Sequence, residues 1–276
     1  MMQTRTLRLT RPSLALLLIA VGACSEKALH FQPMNELTTA SKAVTLLDLE
    51  SSQPLKDLSV CTWLKVTYFR EETYVYSYAT SDKRNNELNM GIKENTVRIA
   101  VAGEYFSEYA SQSYVPDVWY HSCFVLRSDN ESQINLSTAA STNSEKRSVI
   151  GSLTRGILLK GSLVLGQETD LVLGGFSEQQ SFSGVLTGFN LYNRSLTDGE
   201  VALLADCSGK VPEGELVAWS ATSWLLEGPV QEFNINPDEY CRQRAFRFVT
   251  LSCHLIFMIL RSDLTWNCSS YLMCLR

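Results

Sequence analysis

Between residues 165 and 184 the chain reads LGQETDLVLGGFSEQQSFSG. Glu168, Asp170, Glu178, Gln179 and Gln180 crowd side-chain oxygens into a stretch without Lys or Arg, set between apolar runs. A hard cation such as calcium takes about six to eight oxygens from carboxylates, amide side chains and backbone carbonyls. Divalent-cation binding is therefore the chemistry this spacing offers. Gly166, Gly174, Gly175 and Gly184 punctuate the stretch and make it an exposed loop between strands. The same composition also describes a solvated polar loop.

Carboxylate chemistry of another kind is tested by the same residues. Glu168-x-Asp170 begins the Glu-x-Asp-x-x-Glu pattern of some jelly-roll glycosidases, which need two carboxylates flanking the sugar bond. Position 173 is Leu173, so the second carboxylate is missing and no catalytic residue is assigned. The chain has 3 His, and no motif places them in a Ser/His/Asp or Cys/His set. His30 reads as a strand surface residue and His121 as a structural one.

The 276 residues suffice for one large domain or two small ones, and 45% hydrophobic with 19% charged content is globular. The net charge of −5 is unevenly spread: residues 1–23 carry +3 and residues 242–276 carry +4, leaving −12 on the body between them. An acidic body excludes nucleic-acid binding, which needs a basic surface. It suits a cation site, and solubility accounts for it equally.

Residues 1–23 join Arg5, Arg8 and Arg11 to the apolar SLALLLIAVGA before Cys24, which is a secretory signal peptide with cleavage near Ala23 or Cys24. Val21 to Cys24 also loosely resembles a bacterial lipoprotein box. Secretion makes the 8 Cys disulfide candidates. No CxxC pair points to zinc. Sequons at Asn130, Asn135 and Asn193 suit a secreted, glycosylated chain.

The elements that must position the loop are β-strands. Alternation and β-branched or aromatic residues mark strands through residues 27–80, then in TVRIAVAG, VWYHSCFVL, GILLKGSLVLG, GVLTGFNLY and GELVAW. Residues 81–95 read as a polar turn and residues 129–160 as a Ser/Asn/Thr-rich loop that becomes apolar at GILLKGSLVLG. Thr197-x-x-Glu200 is a capping box opening a short helix.

LGQE-x-D followed by GGF-x-x-x-QSF-x-G resembles the calcium loop of the pentraxins, the family of C-reactive protein and serum amyloid P. The segments KALHFQP, LKDLSVCTW, SYAT, Asn85-Asn86-Glu87, His121-x-Cys123 and the closing EYC match that family in order, so the resemblance covers residues 27–241. It implies an all-β fold: a two-sheet antiparallel jelly-roll sandwich of the concanavalin/laminin-G kind with one short helix. It implies disulfides Cys61–Cys123 and Cys207–Cys241. It also implies a Ca2+ site using side-chain oxygens of Glu168, Asp170 and Gln180, the carbonyl of Thr169, and Asn85 and Asn86 from a neighbouring turn. Asn85 stands where a carboxylate is usual, and Ser177 where a Glu serves a second ion, so one stronger site and a weak or absent second are expected. The stretch Leu88–Gly91 lacks the aromatic that packs on choline methyls, and phosphocholine is not carried over.

The function implied is secreted, calcium-dependent, lectin-like pattern recognition in innate immunity. Phosphorylated or carbohydrate ligands on cell or microbial surfaces would be bound by a cyclic homo-oligomer, often a pentamer in the family. The alternative is a laminin-G-like adhesion or structural module with degraded calcium sites. Residues 242–276 match nothing in the family and read as a poorly ordered appendix or a gene model read past its end.

Overall fold

Leu58–Tyr68 shows why this chain makes two layers and then covers one of them. Leu58, Val60, Leu64 and Val66 point to one face and are buried in the main core, while Cys61 and Trp63 point to the other face and are buried as well. A strand apolar on both faces must be packed on both. A computed structural model describes residues 25–48, 53–81, 84–93, 96–109, 114–127, 133–140, 143–150, 153–208 and 211–241, with the backbone alone at 108–109 and 133–150. The expected signal peptide, Asn130 and the 242–276 tail lie outside the described residues.

The strands are β1 (Glu26–Phe31), β2 (Lys42–Asp48), β3 (Leu58–Tyr68), β4 (Thr73–Ala79), β5 (Leu88–Lys93), β6 (Thr96–Val101), β7 (Glu104–Tyr109), β8 (Trp119–Arg127), β9 (Gln133–Ala140), β10 (Asn143–Ile150), β11 (Lys160–Leu165), β12 (Ser183–Tyr192), β13 (Leu225–Glu227) and β14 (Val230–Ile235). They form a 7-stranded sheet in the order β10-β9-β8-β3-β12-β1-β14 and a second in the order β13-β2-β11-β4-β5-β6-β7. Every ladder is antiparallel. The result is the expected jelly-roll sandwich. Its core packs Phe31, Leu64, Phe124 and Leu186 of the first sheet against Tyr76, Tyr78, Met90 and Leu163 of the second.

The outer face of the first sheet is covered by the chain's later elements. Helix α1 (Asp198–Asp206) is the short helix, and its capping box forms: Thr197 Oγ1 accepts from the Glu200 N–H at 3.2 Å and Glu200 Oε2 accepts from the Thr197 N–H at 2.8 Å. Its Val201 closes over Cys61, Cys123 and Tyr192. Ile235 and Tyr240 close over Trp63 and Trp119. The disulfide Cys207–Cys241 ties the end of α1 to this last segment, and Cys61–Cys123 joins two residues directly opposite each other on β3 and β8. Both pairings are the expected ones. Cys207–Cys241 encloses a sequence separation of 34 and Cys61–Cys123 one of 62. For the longer loop the chain-entropy model gives about 4 kcal/mol.

Three sequence expectations are corrected. Residues 88–93 are not turn but β5, because Leu88, Met90 and Ile92 alternate into the core and Asn89, facing outward, is hydrogen-bonded. Within 129–160 the polar run forms the hairpin β9–β10. There β8 supplies a ladder that composition cannot reveal. GELVAW is not a strand, since the amides of Leu216 and Val217 converge on the single carbonyl of Leu191, at 3.0 and 3.2 Å.

The turn between β4 and β5 is fixed from below by Glu87, whose side chain is 0% exposed. Its two oxygens accept from both Arg155 terminal nitrogens at 2.6 Å, and Oε1 also accepts from the Leu158 N–H at 2.7 Å. Removing one partner of a buried pair is costly because the other charge is left uncompensated. Arg155→Met is therefore expected to lower unfolding free energy by about 3 kcal/mol in denaturant titration. Glu87→Gln, which keeps an acceptor and leaves Arg155 able to reach water, is expected to cost less.

Candidate metal centre on the outer face of the second sheet

The backbone leaves β11 at Gly166, where φ is +88° and a Cβ would lie 2.5 Å from the Phe31 ring. Only glycine fits that turn. The chain then folds back across the sheet's outer face: the Ser77 hydroxyl donates to the Gln167 carbonyl at 2.8 Å. Beneath it runs one cross-strand row, Val164, Ser77, Asn89, Ala100 and Tyr105, contributed by β11, β4, β5, β6 and β7. Thr169 closes the loop by donating its hydroxyl to the carbonyls of Leu171 and Gly174. Gly175 (φ +72°) brings the return limb so near Asp170 that a Cβ there would lie 2.6 Å from the Asp170 Cβ.

This path brings most of the expected ligand residues together. Asn85 Nδ2 donates to Asp170 Oδ1 at 3.3 Å across 85 residues of sequence. A chain of amides then leads inward. Asn86 Nδ2 donates to Asn85 Oδ1 at 3.4 Å, and Asn89 Nδ2 donates to Asn86 Oδ1 at 2.7 Å. Asn89 Oδ1 in turn accepts from the Ala100 N–H at 3.0 Å, which anchors the chain to β6. Asp170 is exposed, whereas Glu168 and Thr169 are buried. Gln180, half-buried, ends a 3-10 turn over Glu178–Gln180 that is joined through the main chain to the residue preceding β4, the Glu72 N–H donating to the Gln179 carbonyl at 3.1 Å. Ser177 precedes that turn and Glu178 is exposed at its head.

The electrostatics are one-sided. Glu168 is 3% exposed and its Oε2 is buried without a hydrogen-bond partner. Desolvation, then Asp170, then Glu72 push its carboxyl up to about 7 from an ordinary 4.5. Arg98 is engaged by Glu72 and lies over the Tyr105 ring at 5.8 Å, while Tyr74 OH donates to Glu72 Oε2 at 3.2 Å. Glu72, Tyr74, Arg98 and Tyr105 were absent from the sequence expectation. No spacing links residue 72 to residue 168; the β11–β4 pairing does. A buried carboxylate with a second carboxylate acting on it, the latter reached by the side-chain amide of Asn85, is an environment that suits a hard divalent cation. The residues present therefore fit calcium.

A second cluster does not. Cys61, His121 and Cys123 lie within ligand distance of one another. Both sulfurs are consumed by the disulfide, and burial pushes His121 down to about 3, so it stays neutral. That group is core structure. His30 is half-buried on β1. Asn193 is exposed just beyond β12, and Asn135 lies on β9.

A family model described as the Pentaxin family matches residues 37–233. Neuronal pentraxin-1 of Rattus norvegicus is 30% identical over 188 residues, 67% of this chain and 41% of that protein, so the chain spans well under half of it. C-reactive protein 1.1 of Limulus polyphemus is 25% identical over 239 residues, covering 84% of this chain and 96% of that one. The structure of a native heptameric SAP-like pentraxin from Limulus polyphemus shares the fold, with TM-score 0.60 at 23% identity over 75% of this chain and 94% of that chain.

A carboxyl held at about 7 favours the protonated folded protein. That contribution to stability is complete below the ordinary 4.5 and is lost as pH rises through about 7. In chelator, the melting temperature should therefore fall between those pH values relative to Glu168→Gln, in which the dependence is flattened. Parallel melting curves for the two proteins would contradict this environment for Glu168.

Proposed function

Because the chain belongs to the pentraxin family, we propose that it is a secreted, calcium-dependent recognition protein of the lectin-like, innate-immune kind. The observation that carries this is Asp170 meeting Asn85 beside the unpartnered, buried Glu168. Glu168 and Asp170 supply the charge, Asn85 and Asn86 the neutral oxygens, with the Thr169 carbonyl and Gln180 completing the set. Calcium held there offers open coordination positions to phosphate or sugar-hydroxyl oxygens. The residues' own task is to hold these oxygens in place before ligand arrives. Glu87 and Asn89 fix the amide turn from below, and Gly175 keeps the return limb against Asp170.

Only one strong ion is proposed. Ser177 brings no carboxylate, and the charges acting on Glu168 are those of Asp170 and Glu72 rather than Glu178. The two disulfides support an extracellular protein. Residues 1–23 are proposed as its signal peptide, residues 27–241 as its one domain, and residues 242–276 as a tail outside it. Exposed Asn193 is the best placed of the proposed glycan sites. Assembly into a ring of copies would let several weak sites act together, because linked binding events multiply. No catalytic role is proposed.

The amide at Asn85 and the Ser at 177 favour one other reading, an adhesion module of laminin-G type that has lost its ion. Calorimetry separates the two. Calcium should bind with millimolar or tighter affinity. Asp170→Asn should weaken it at least about tenfold, and Asn85→Asp should tighten it severalfold by adding a carboxylate. Absence of heat on calcium addition would leave the adhesion module.

A further inference from the structure

Directly after Asp170 the loop carries Leu171, Val172 and Leu173, which are 47%, 40% and 46% exposed. Single exposed leucines are ordinary; three consecutive exposed aliphatic residues in one tight turn are not. The tip is held in shape. Leu171 and Gly174 exchange both backbone hydrogen bonds at 3.1 Å, and Thr169 fastens their carbonyls from inside. Leu173 sits at φ +55°, a left-handed conformation in which Asn or Gly would be less strained. A leucine kept there points to a use for its side chain. Tyr105, 52% exposed, lies within electrostatic reach of both Glu168 and Asp170. Aromatic residues with a polar tip favour the boundary between water and lipid.

Three consecutive exposed aliphatic side chains offer no hydrogen-bonding group to a sugar, but they suit a deformable apolar phase. The acids beside it set the electrostatic condition. Alone they repel an anionic surface, and with a divalent ion they become complementary to its phosphates. We propose that Leu171–Leu173 is a membrane-docking tip that enters an anionic phospholipid bilayer when the adjoining site holds its cation. This rests on the calcium reading above and adds to it the surface that is recognised.

The test uses the full chain and vesicles of phosphatidylcholine with phosphatidylserine, in calcium and in chelator, with calorimetry for the ion in parallel. The wild-type protein should sediment with vesicles in calcium and stay in solution in chelator. Leu171→Gln/Leu173→Asn should bind calcium as the wild type does, since Asn accepts the left-handed conformation, yet partition about thirtyfold less. Leu171→Trp should keep partitioning, with its emission shifting to the blue on vesicles. Equal vesicle binding by the double variant, or full competition by soluble glycerophosphoserine, overturns the tip and leaves the calcium site standing. Vesicle binding that persists in chelator also overturns it. Failure of calorimetry to detect calcium in the wild type removes the reading beneath it.

Discussion

The structure turns on a carboxylate placed where a carboxylate is costly. Glu168 is almost fully buried, one oxygen lacks a partner, and the charges that act on it are negative. Left to itself such a group is driven toward its neutral form. The fold nonetheless devotes a glycine turn at 166, a hydroxyl clasp at Thr169 and a close approach at Gly175 to holding it and Asp170 in place. A positive ion would relieve both the desolvation and the repulsion at once.

Rigidity beneath the site comes from the sandwich. The five-residue row under the loop spans five strands, so its members cannot move independently of the sheet. Asn89 is locked between Asn86 and the Ala100 amide, and Glu87 between Arg155 and the Leu158 amide. The amide turn is thus held by buried polar bonds that are satisfied and reaches Asp170, whose neighbour Glu168 carries the unsatisfied oxygen. The first sheet has a complementary role. Its outer face is sealed by α1, the last segment and the Cys207–Cys241 link, which leaves the second sheet's outer face as the one carrying the site.

Much of this was legible in the chain. Alternation identified the strands of the core, Thr197-x-x-Glu200 the helix start, and the LGQE-x-D loop the oxygen-rich segment, because each depends on neighbours close in sequence. The failures share a cause. Leu88–Lys93 hid among polar neighbours, 133–150 is a hairpin through pairing with β8, and GELVAW lost its ladder to a single convergent carbonyl. In each case a strand's identity depended on its partner.

By itself the sequence determined the apolar periods, the cysteines available for pairing, the acidic body and the set of oxygens a cation could use. Tertiary structure alone decided that Glu72, Tyr74, Arg98 and Tyr105 surround the site, and it set the contact by which the Asn85 amide reaches Asp170. The reason is that these residues come from different strands and loops. Their distances are set by ladder register and by one left-handed glycine turn, which no local pattern encodes.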